Sequence, residues 1–549
     1  MADKYRWARV GDINAFFGLM LDNVAGLILM VSLLSENFQF PVRFALRYMI
    51  PGTALGVLIG DLLFFFLAIY LAKTSTNKHV TAMPLGLDTP STIGMVFFVL
   101  GPAYGGALKQ GLSTDEAAMV AWQIGICSIF ISGIFKFACA FGSGWVRKSI
   151  PRAGLLGSLA AIALVLISFL PLLEILHYPL VGLIALAIIL TALVGRVPLP
   201  FKLPGALGGL IVAGTIFGIM NATGLITPSQ HQLDPSEGLL PTEWMRALSL
   251  EWLARMGDTI NYLPIVIPFA LATVVGGIDC TESAAAAGDH YHTGTVIGIE
   301  ALATLAGSFC GAVIQTTPYI GHPAYKSMGG SAAYTLATAL MMGLLGVTGL
   351  FGYFYQYVPA AAVYPILVFV GLEITAQSFI ATPRRHYPAV ALACVPALAT
   401  LAIYFVSQLW GDPALFSKGI NPGSLQNAEL ASKLSTANML SNGFLLTSIF
   451  WSSALAMAID RRLATAAKFY LLAAICTLFG VIHSPLPGAP ILLPISIPGV
   501  DPSAILPTEE LVNVLHWAIG YALAALLLFG WEKYLWATGQ QQSEFVNDQ

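Results

Sequence analysis

Long apolar stretches separated by short polar loops recur along almost the whole chain. A helix needs about 20 mostly apolar residues to cross a bilayer. Alternating strands of the β-barrel type are absent, so the pattern predicts an all-α polytopic membrane protein. Fourteen stretches are candidate spans, at 13–34, 44–72, 118–142, 154–173, 178–195, 206–226, 263–287, 294–314, 331–353, 360–379, 388–408, 441–459, 466–484 and 511–531.

Two further apolar segments, 84–101 and 318–330, are too short and too rich in Pro and Gly to be plain helical spans. The first contains most of TAMPLGLDTP at 81–90, and the second begins inside QTTPYIGHP at 315–323. Thr, Pro, Gly, a titratable residue and Pro therefore recur in nearly the same order. Paired, interrupted segments of this kind are typical of a binding site in a transporter built from two repeats.

Each short segment is expected to run extended before a helix begins, because Pro and Gly interrupt a continuous helix. The helix starts are predicted at Asp88 or Thr89 in the first segment and near His322 in the second. Asp and Thr are good N-caps, and Pro90 suits a first helical turn. Non-helical backbone at membrane depth must be buried in protein or line a cavity. Two helix N-termini facing each other there would form a cradle for a small polar or anionic solute.

Composition excludes the soluble classes of protein. The chain is 57% hydrophobic and only 10% charged, whereas a soluble domain has about a quarter of its residues charged. A net charge of −3 without long basic runs excludes a nucleic-acid-binding chain. The six cysteines lie in apolar stretches without metal-ligand spacing, and no Gly-rich nucleotide loop occurs. We therefore predict a protein that is not an enzyme and that needs no metal or cofactor.

The distribution of Lys and Arg predicts the orientation in the membrane. With a cytoplasmic N-terminus and both short segments crossing, 17 of the 25 basic residues fall on the cytoplasmic side. The chain then crosses sixteen times in the plasma (inner) membrane, with both termini cytoplasmic. Lys4, Arg6 and Arg9 lead into the first span without a cleavage site, so no signal peptide is expected. The loops 227–262 and 409–440 lie outside, and the tryptophans and leucines of the former predict an amphipathic helix on the membrane surface.

The first seven segments and the next seven are predicted to be copies of one another. LIGD at 58–61 and IGIE at 297–300 each place one acid, Asp61 or Glu300, at matching depth. An odd number of segments per copy forces the second copy to be inverted. The predicted organisation is a first repeat at 1–226, an external loop at 227–262, a second repeat at 263–460, and two additional spans with a cytoplasmic tail at 461–549.

Titratable residues inside predicted spans are costly unless they are paired, protonated or in a wet cavity. Asp22 and Asn23 interrupt the first span, and Asp279 and Glu282 lie inside the eighth. Inverted symmetry places Asp22 and Asp279 on helices that flank the two short segments. Asp279 is the first candidate for contact with a substrate or a proton, and a hydrogen bond in helix packing is its alternative.

Other charges inside the spans have expected roles in structure. Asp61 and Glu300 lie one helix away from the cradle, which favours a supporting role. Lys136 lies far from a span end, so we expect it to neutralise one of these acids. Glu373 fits a residue that lines the groove and a helix-packing acid equally well.

His322 takes the place of Asp88 in the second short segment. A histidine titrates near neutrality, so this one could donate to a substrate or relay a proton, and a satisfied core histidine is the alternative. If it lies beside Asp279, the two form a proton-coupling pair. Nearby, DHYH at 289–292 has metal-ligand residue types, but its place at the end of the eighth span favours a solvated loop.

At these residues the chain resembles the nucleobase/ascorbate permease superfamily, and the azaguanine-type purine permeases most of all. QTTPYIGH at 315–322 is similar to the family's Asn/Gln-Thr-Thr-Tyr stretch before its tenth helix. Residues 275–289, from VGGID to AGD, resemble the eighth helix, with Asp279 at the family's substrate-binding acid. Residues 150–162 resemble the fifth helix of purine permeases, and the broken third segment completes a resemblance that covers about residues 10–460.

The resemblance implies a seven-plus-seven inverted-repeat fold with a core domain (segments 1–4 and 8–11) that slides against a gate domain (segments 5–7 and 12–14). It also implies a substrate site between the strands of the third and tenth segments and coupling of transport to protons, for which we expect Asp279 and His322. The chain departs from the family at His322, which replaces an acid, and in its two additional C-terminal spans. The implied substrate-binding residues are Asp279, Glu282, His322, Thr316, Thr317, Tyr319, Asp88, Leu87, Asp22 and Asn23.

The sequence thus predicts a secondary transporter that takes up a nucleobase-like heterocycle together with protons, or with sodium ions, by alternating access. The alternative on the same fold is a transporter or exchanger of an anion such as sulfate, bicarbonate or a small carboxylate. Asp88 and Asp279 speak against the anion, because a carboxylate repels it unless protonated. The expected partners are this solute, the bilayer and, as an open option, a second copy of the chain in a homodimer.

Overall fold

The computed structural model describes residues 5–75, 77–200, 203, 205–226, 234–319, 321–358, 360–411, 425–486, 492–494 and 506–538. Helices dominate this part of the chain, and nine of them are long and apolar enough to cross a membrane. The number rises to 11 if each of two bent helix pairs counts as one span, and four shorter apolar helices accompany them. Together with the short helix His322–Ser327 they match the predicted segments one for one. The predicted all-α class is confirmed.

The described part of the first half of the chain contains seven long helices and one strand. They are α1 (Gly11–Phe38), α2 (Val42–Thr74), β1 (Leu85–Leu87), α3 (Thr89–Lys109), α4 (Thr114–Ser149, bent at Gly142), α5 (Arg152–His177), α6 (Pro179–Val194) and α7 (Gly205–Ala222). Short single turns of π-helix occur within α2, α3, α5 and α6.

The second half repeats this order before it adds helices of its own. It contains α8 (Leu263–Ala286), α9 (Thr293–Phe309), β2 (Thr316–Pro318), α10 (His322–Ser327), α11 (Ala333–Thr348), α12 (Phe351–Tyr357), α13 (Ala360–Ile380), α14 (Tyr387–Gly411), α15 (Ala428–Ser441), α16 (Phe444–Ile459), α17 (Leu463–Leu478) and α18 (Thr508–Ala537).

The two strands pair with each other in antiparallel orientation. Leu85 lies opposite Pro318, Gly86 opposite Thr317, and Leu87 opposite Thr316. Each strand follows two long helices and precedes a helix, so the order helix, helix, strand, helix occurs in both halves. The two short segments are therefore extended and then helical, as the sequence predicted. Antiparallel pairing of equivalent strands is the geometry that an inverted repeat produces.

Two predicted spans are bent instead of straight. The 331–353 span divides into α11 and α12, which meet at 88°, and the 441–459 span is preceded by α15 at 82° to α16. Gly349 sits at the first bend with φ +73°, and a Cβ there would lie only 1.8 Å from the carbonyl oxygen of Gly238. Gly443 sits at the second bend with φ +70°. Only glycine adopts this backbone without strain while another segment approaches so closely.

The predicted surface helix within 227–262 has a different form. Residues 227–233 lie outside the described residues, and the remainder forms short 3₁₀ turns, the longest at Glu243–Ser249 and Glu251–Arg255, and one α-helical turn at Met256–Thr259. Trp244 and Trp252 are buried in the protein. The thiol of Cys127 donates to the backbone oxygen of Trp252 at 3.0 Å. Trp252 therefore packs on α4, and the two tryptophans do not share one apolar face with the exposed Leu248 and Leu253.

The described residues belong to two compact units. The first comprises Met1–Val146 and Ile167–Leu372 and contains both strands; the second comprises Arg147–Leu166 and Glu373–Gln549. The predicted division into core and gate domains stays a prediction. Small side chains allow close helix packing in the second unit, where Ala153, Ala160, Ala389, Val390 and Ala456 form a buried cluster.

A buried hydrogen-bonded chain attaches the last helices of the second unit. The imidazole of His483 lies 3.1 Å from the backbone oxygen of Met439 and 2.7 Å from the hydroxyl oxygen of Tyr521. The indole N–H of Trp451 donates to the same hydroxyl at 2.8 Å, and Trp517 stacks on the imidazole with centroids 4.1 Å apart. One proton arrangement satisfies every bond: His483 donates from Nδ1 and accepts at Nε2 from Tyr521.

Replacement of Tyr521 by Phe should destabilise this attachment, because it leaves two buried polar groups without a partner. Each such group costs about 1–3 kcal/mol, so for a chain of this length we expect the apparent Tm to fall by about 2–5 °C. Tyr534→Phe removes an exposed hydroxyl from the same helix and serves as the matched control. Equal Tm values for the two variants, measured in detergent, would contradict the role given to Tyr521.

Candidate functional site

The first strand leads directly into a capped helix. Asp88 precedes α3, and its Oδ2 accepts from the backbone N–H of Ser91 at 2.9 Å. Pro90 occupies the first turn, where its missing N–H costs nothing. The predicted N-cap is therefore confirmed, and the Asp88 side chain is buried while it serves this purpose.

The second strand leads into α10 in the same way, and the two strand ends are joined by backbone bonds. The N–H of Asp88 donates to the carbonyl of Gln315 at 3.1 Å. The N–H of Tyr319 donates to the carbonyl of Pro84 at 2.8 Å. Helix α10 begins at His322, the predicted position. We call the paired strands together with the starts of α3 and α10 the cradle.

Side chains of α1 and α2 hold the outer edge of β1. Asn23 Oδ1 accepts from the N–H of Leu87 at 3.0 Å, and its amide donates to the carbonyl of Leu19 at 3.0 Å. Asp61 Oδ1 accepts from the N–H of Leu85 at 3.1 Å. Asp61 thus supports the strand, which is the role predicted for it from its position one helix away from the cradle. Asn23, predicted to contact substrate, is engaged with backbone on both sides of its amide.

Asp22 of α1 and Leu87 of β1 both lie where α1 packs against the cradle. A Cβ added to Gly86 would lie 3.4 Å from Asn23 Oδ1 and 3.7 Å from Asp22 Oδ2. The absence of a side chain at Gly86 therefore lets α1 and its half-buried Asp22 come close to β1. Leu87 is buried and packs against Gly26 of α1, so its side chain belongs to the support of the strand.

A buried ion pair lies behind β2. Lys136 Nζ is 2.8 Å from Glu300 Oε1, and both side chains are inaccessible to solvent. Lys136 also donates to the carbonyl of Thr316 at 2.9 Å. The prediction that Lys136 neutralises a membrane acid is confirmed, and its partner is Glu300. The hydroxyl of Thr316 lies 3.2 Å from that of Thr304 on α9, so the Thr316 side chain lies on the side of β2 that faces α9.

Helix α8 covers the other side of β2. It packs against β2 and α10, and the thiol of Cys280 donates to the carbonyl of Pro318 at 3.4 Å. Asp279 is half-buried on this helix, as are Thr317 and Tyr319 on the chain that it covers. The side chain of Glu282 lies outside the described residues.

His322 faces a carboxylate that the sequence analysis set aside. Its Nε2 lies 3.3 Å from Asp289 Oδ2 and 3.1 Å from the carbonyl oxygen of Thr81. Asp289 and Tyr291 are buried, while His290 and His292 are exposed. The prediction that 289–292 is a solvated loop is therefore wrong for Asp289 and Tyr291. An acid just after a span is normally hydrated, and the sequence showed no sign that His322, Lys326 and Asn77 would meet it.

The Asp289 carboxyl is stabilised in its ionised form. Burial alone would raise its pKa, but hydrogen bonds from His322, Lys326 and the N–H of Thr81 lower the pKa below its usual range. Among the described residues, no group of three or more His, Cys, Asp or Glu side chains is arranged to hold a metal ion.

Comparison with known proteins finds similarity to solved structures alone. No family model matches the chain, and no curated protein matches it. The transmembrane domain of a cyanobacterium bicarbonate transporter, BicA, is 14% identical with a TM-score of 0.43, over 73% of this chain and 96% of that one. SLC26A9 is 13% identical with a TM-score of 0.48, over 72% of this chain and 61% of that one.

A third structure, the murine anion transporter Slc26a9 in the inward-facing state, is 12% identical with a TM-score of 0.45, over 74% of this chain and 69% of that one. Similarity at this level is loose, so the chain's own residues carry the conclusions about its site. The resemblance to nucleobase permeases stays a prediction.

Removal of one partner of the Lys136–Glu300 pair should be more harmful than removal of both. An uncompensated buried charge costs about 3–5 kcal/mol, whereas two neutral side chains avoid that cost. Lys136→Met should therefore lower the Tm and the yield of monodisperse protein, and Lys136→Met with Glu300→Gln should recover most of both. A double variant no more stable than Lys136→Met would contradict the pairing.

Proposed function

We propose that the chain is a secondary transporter that binds a small polar solute at the cradle and takes it up together with protons. The observation that carries this proposal is the pair of short antiparallel strands inside an apolar helical protein. Strands expose backbone groups that a membrane interior cannot satisfy, so they persist there only where protein or a polar cavity surrounds them. Their presence in both halves of the chain supports a common binding position.

The partly exposed polar residues beside the strands are the best candidates for solute contact. Asn23, Asp61, Asp88, Lys136, Glu300 and Thr316 are buried and hold the cradle together, by the bonds described above. Asp22, Thr317, Tyr319 and Asp279 lie next to the same strands and retain exposure. We assign the solute to this second set, which keeps four of the predicted substrate-binding residues.

The charge of that set favours a neutral solute with N–H groups. Asp22 and Asp279 contribute carboxylates, and the nearby cation, Lys136, is already paired with Glu300. A nucleobase-like heterocycle can donate N–H to a carboxylate and stack on Tyr319, whereas an anion would be repelled. Protonation of Asp279 during each cycle would couple solute movement to the proton gradient.

An inorganic anion or small carboxylate is the second candidate. The start of α3 carries a partial positive charge beside the strands, which suits an anion if the acids are protonated. Bicarbonate and anion transport are the activities named for BicA and Slc26a9. Sulfate and bicarbonate therefore belong among the solutes tested.

Uptake into proteoliposomes with an imposed pH gradient tests the proposal. Radiolabelled uracil, xanthine, guanine, adenine, sulfate and bicarbonate should be compared at several external pH values. We expect a heterocycle to accumulate, and only when the outside is more acidic than the lumen. Accumulation of sulfate or bicarbonate alone would favour the second candidate, and accumulation of none would contradict both.

Asp279→Asn should abolish uptake of the transported solute, because the amide is nearly isosteric but cannot take up a proton. Expression and Tm should stay close to those of the unchanged protein. Asp258→Asn, which alters an exposed acid paired with Arg255, is the matched control and should transport normally. Normal uptake by well-folded Asp279→Asn protein would make Asp279 a packing residue.

A further inference from the structure

Asp289 lies in the turn between α8 and α9 and accepts from four donors. Lys326 Nζ is 2.6 Å and Asn77 Nδ2 is 2.8 Å from its Oδ1. The N–H of Thr81 is 3.1 Å and His322 Nε2 is 3.3 Å from its Oδ2. The carboxylate has no exposure to solvent, so these donors replace the water that it would otherwise bind.

The four donors come from both halves of the cradle. Asn77 and Thr81 belong to the segment that leads into β1, and His322 and Lys326 belong to α10, which follows β2. One carboxylate therefore joins the entry of the first strand to the helix after the second strand. The two segments are far apart in the sequence.

Neighbouring bonds continue the same junction toward β1. The carbonyl of Thr81 accepts from the hydroxyl of Tyr291 at 2.5 Å. The N–H of Ala82 donates to the carbonyl of Ser331 at 2.7 Å, and the hydroxyl of Tyr334 donates to the carbonyl of Ala82 at 2.6 Å. Thr81 and Ala82 are thus both held by hydrogen bonds to other segments, and Ala82 lies only three residues before the start of β1.

We propose that Asp289 is a positioning residue for the cradle: it fixes residues 77–82 against α10 and thereby holds β1 in place beside β2. This inference rests on the proposed function, since it gives the junction the task of shaping the solute site. The lowered pKa of Asp289 agrees with it, because the junction requires the ionised form to accept all four bonds.

Asparagine at this position cannot reproduce the junction. Its single oxygen can accept from Lys326 and Asn77, but its NH₂ group would then face the N–H of Thr81 and the imidazole of His322. The bonds from Thr81 and His322 to this side chain are lost while its size is kept. The loss of these bonds should therefore loosen the backbone not only at Thr81 but also in β1.

Amide hydrogen exchange of the purified full chain in nanodiscs measures this spread. In Asp289→Asn we expect exchange at Leu85 and Leu87 to become at least tenfold faster, although their own acceptors, Asp61 and Asn23, are unchanged. A change confined to Thr81, or no change, would overturn the proposal. Lys326→Gln keeps the carboxylate, its bond to His322 and both of its bonds to the segment before β1, from Asn77 and Thr81, so less than a threefold change is expected there.

Asp460→Asn is the matched control. Asp460 also accepts from a histidine and a basic residue, with His386 Nε2 at 2.8 Å and Arg385 Nε at 2.9 Å, but it belongs to the second unit. Exchange at Leu85 and Leu87 should be unchanged in this variant. If Asp289→Asn does not give folded protein, Asn77→Ala removes one donor at the same junction and should accelerate exchange at Leu85 at least threefold; no acceleration would again overturn the proposal.

Xanthine uptake by the same proteins separates this inference from the proposed function. Asp289→Asn should raise the half-saturating xanthine concentration at least tenfold and change the maximal rate less than threefold, as a displaced site would. Failure of the unchanged protein to take up xanthine or any other solute of the panel would count against the proposed function. The exchange at Leu85 and Leu87 would still decide whether Asp289 positions the strand.

Discussion

Hydrogen bonding of strand backbone inside an apolar protein is the constraint on which the rest of this structure depends. Each of β1 and β2 has one partner strand and one open edge, and an open edge in a membrane interior must be satisfied by side chains. Asp61 and Asn23 accept from the open edge of β1. Lys136 and Cys280 donate to the open edge of β2. The polar residues of four helices are placed where these backbone groups need them.

This constraint explains why the membrane region contains more acids than a binding site needs. Asp61 supports a strand, Glu300 balances the lysine that supports the other strand, and Asp88 caps a helix. Each therefore has a structural reason to be present. Asp22 and Asp279 are the half-buried acids beside the strands among the described residues, so the chemistry of transport is assigned to fewer groups than the sequence suggested.

Local chemistry let the sequence predict the helical class, both strand-to-helix segments and the cap at Asp88, because Pro, Gly and Asp act within a few residues. The need to pair a buried charge predicted a partner for Lys136 without identifying Glu300 as that partner. The role of Asp289 depends on Asn77, Thr81, His322 and Lys326 meeting in space, which no local pattern encodes. The bends at Gly349 and Gly443 were missed for the same reason, since distant segments impose them.

The two strand edges are equivalent by repeat but opposite in chemistry. In the antiparallel register Gly86 lies opposite Thr317, so both backbone groups of Leu85, Leu87 and Thr316 and the carbonyl of Pro318 point outward. Pro318 is tolerated because its missing N–H would point away from β1, and its outward carbonyl accepts from Cys280. In the described bonds the helices beside β1 supply acceptors, Asp61 and Asn23, and those beside β2 supply donors, Lys136 and Cys280. The equivalent acids show the difference: Asp61 accepts directly from β1, whereas Glu300 pairs with Lys136, which donates to β2. The inverted symmetry of the backbone therefore does not extend to its side chains.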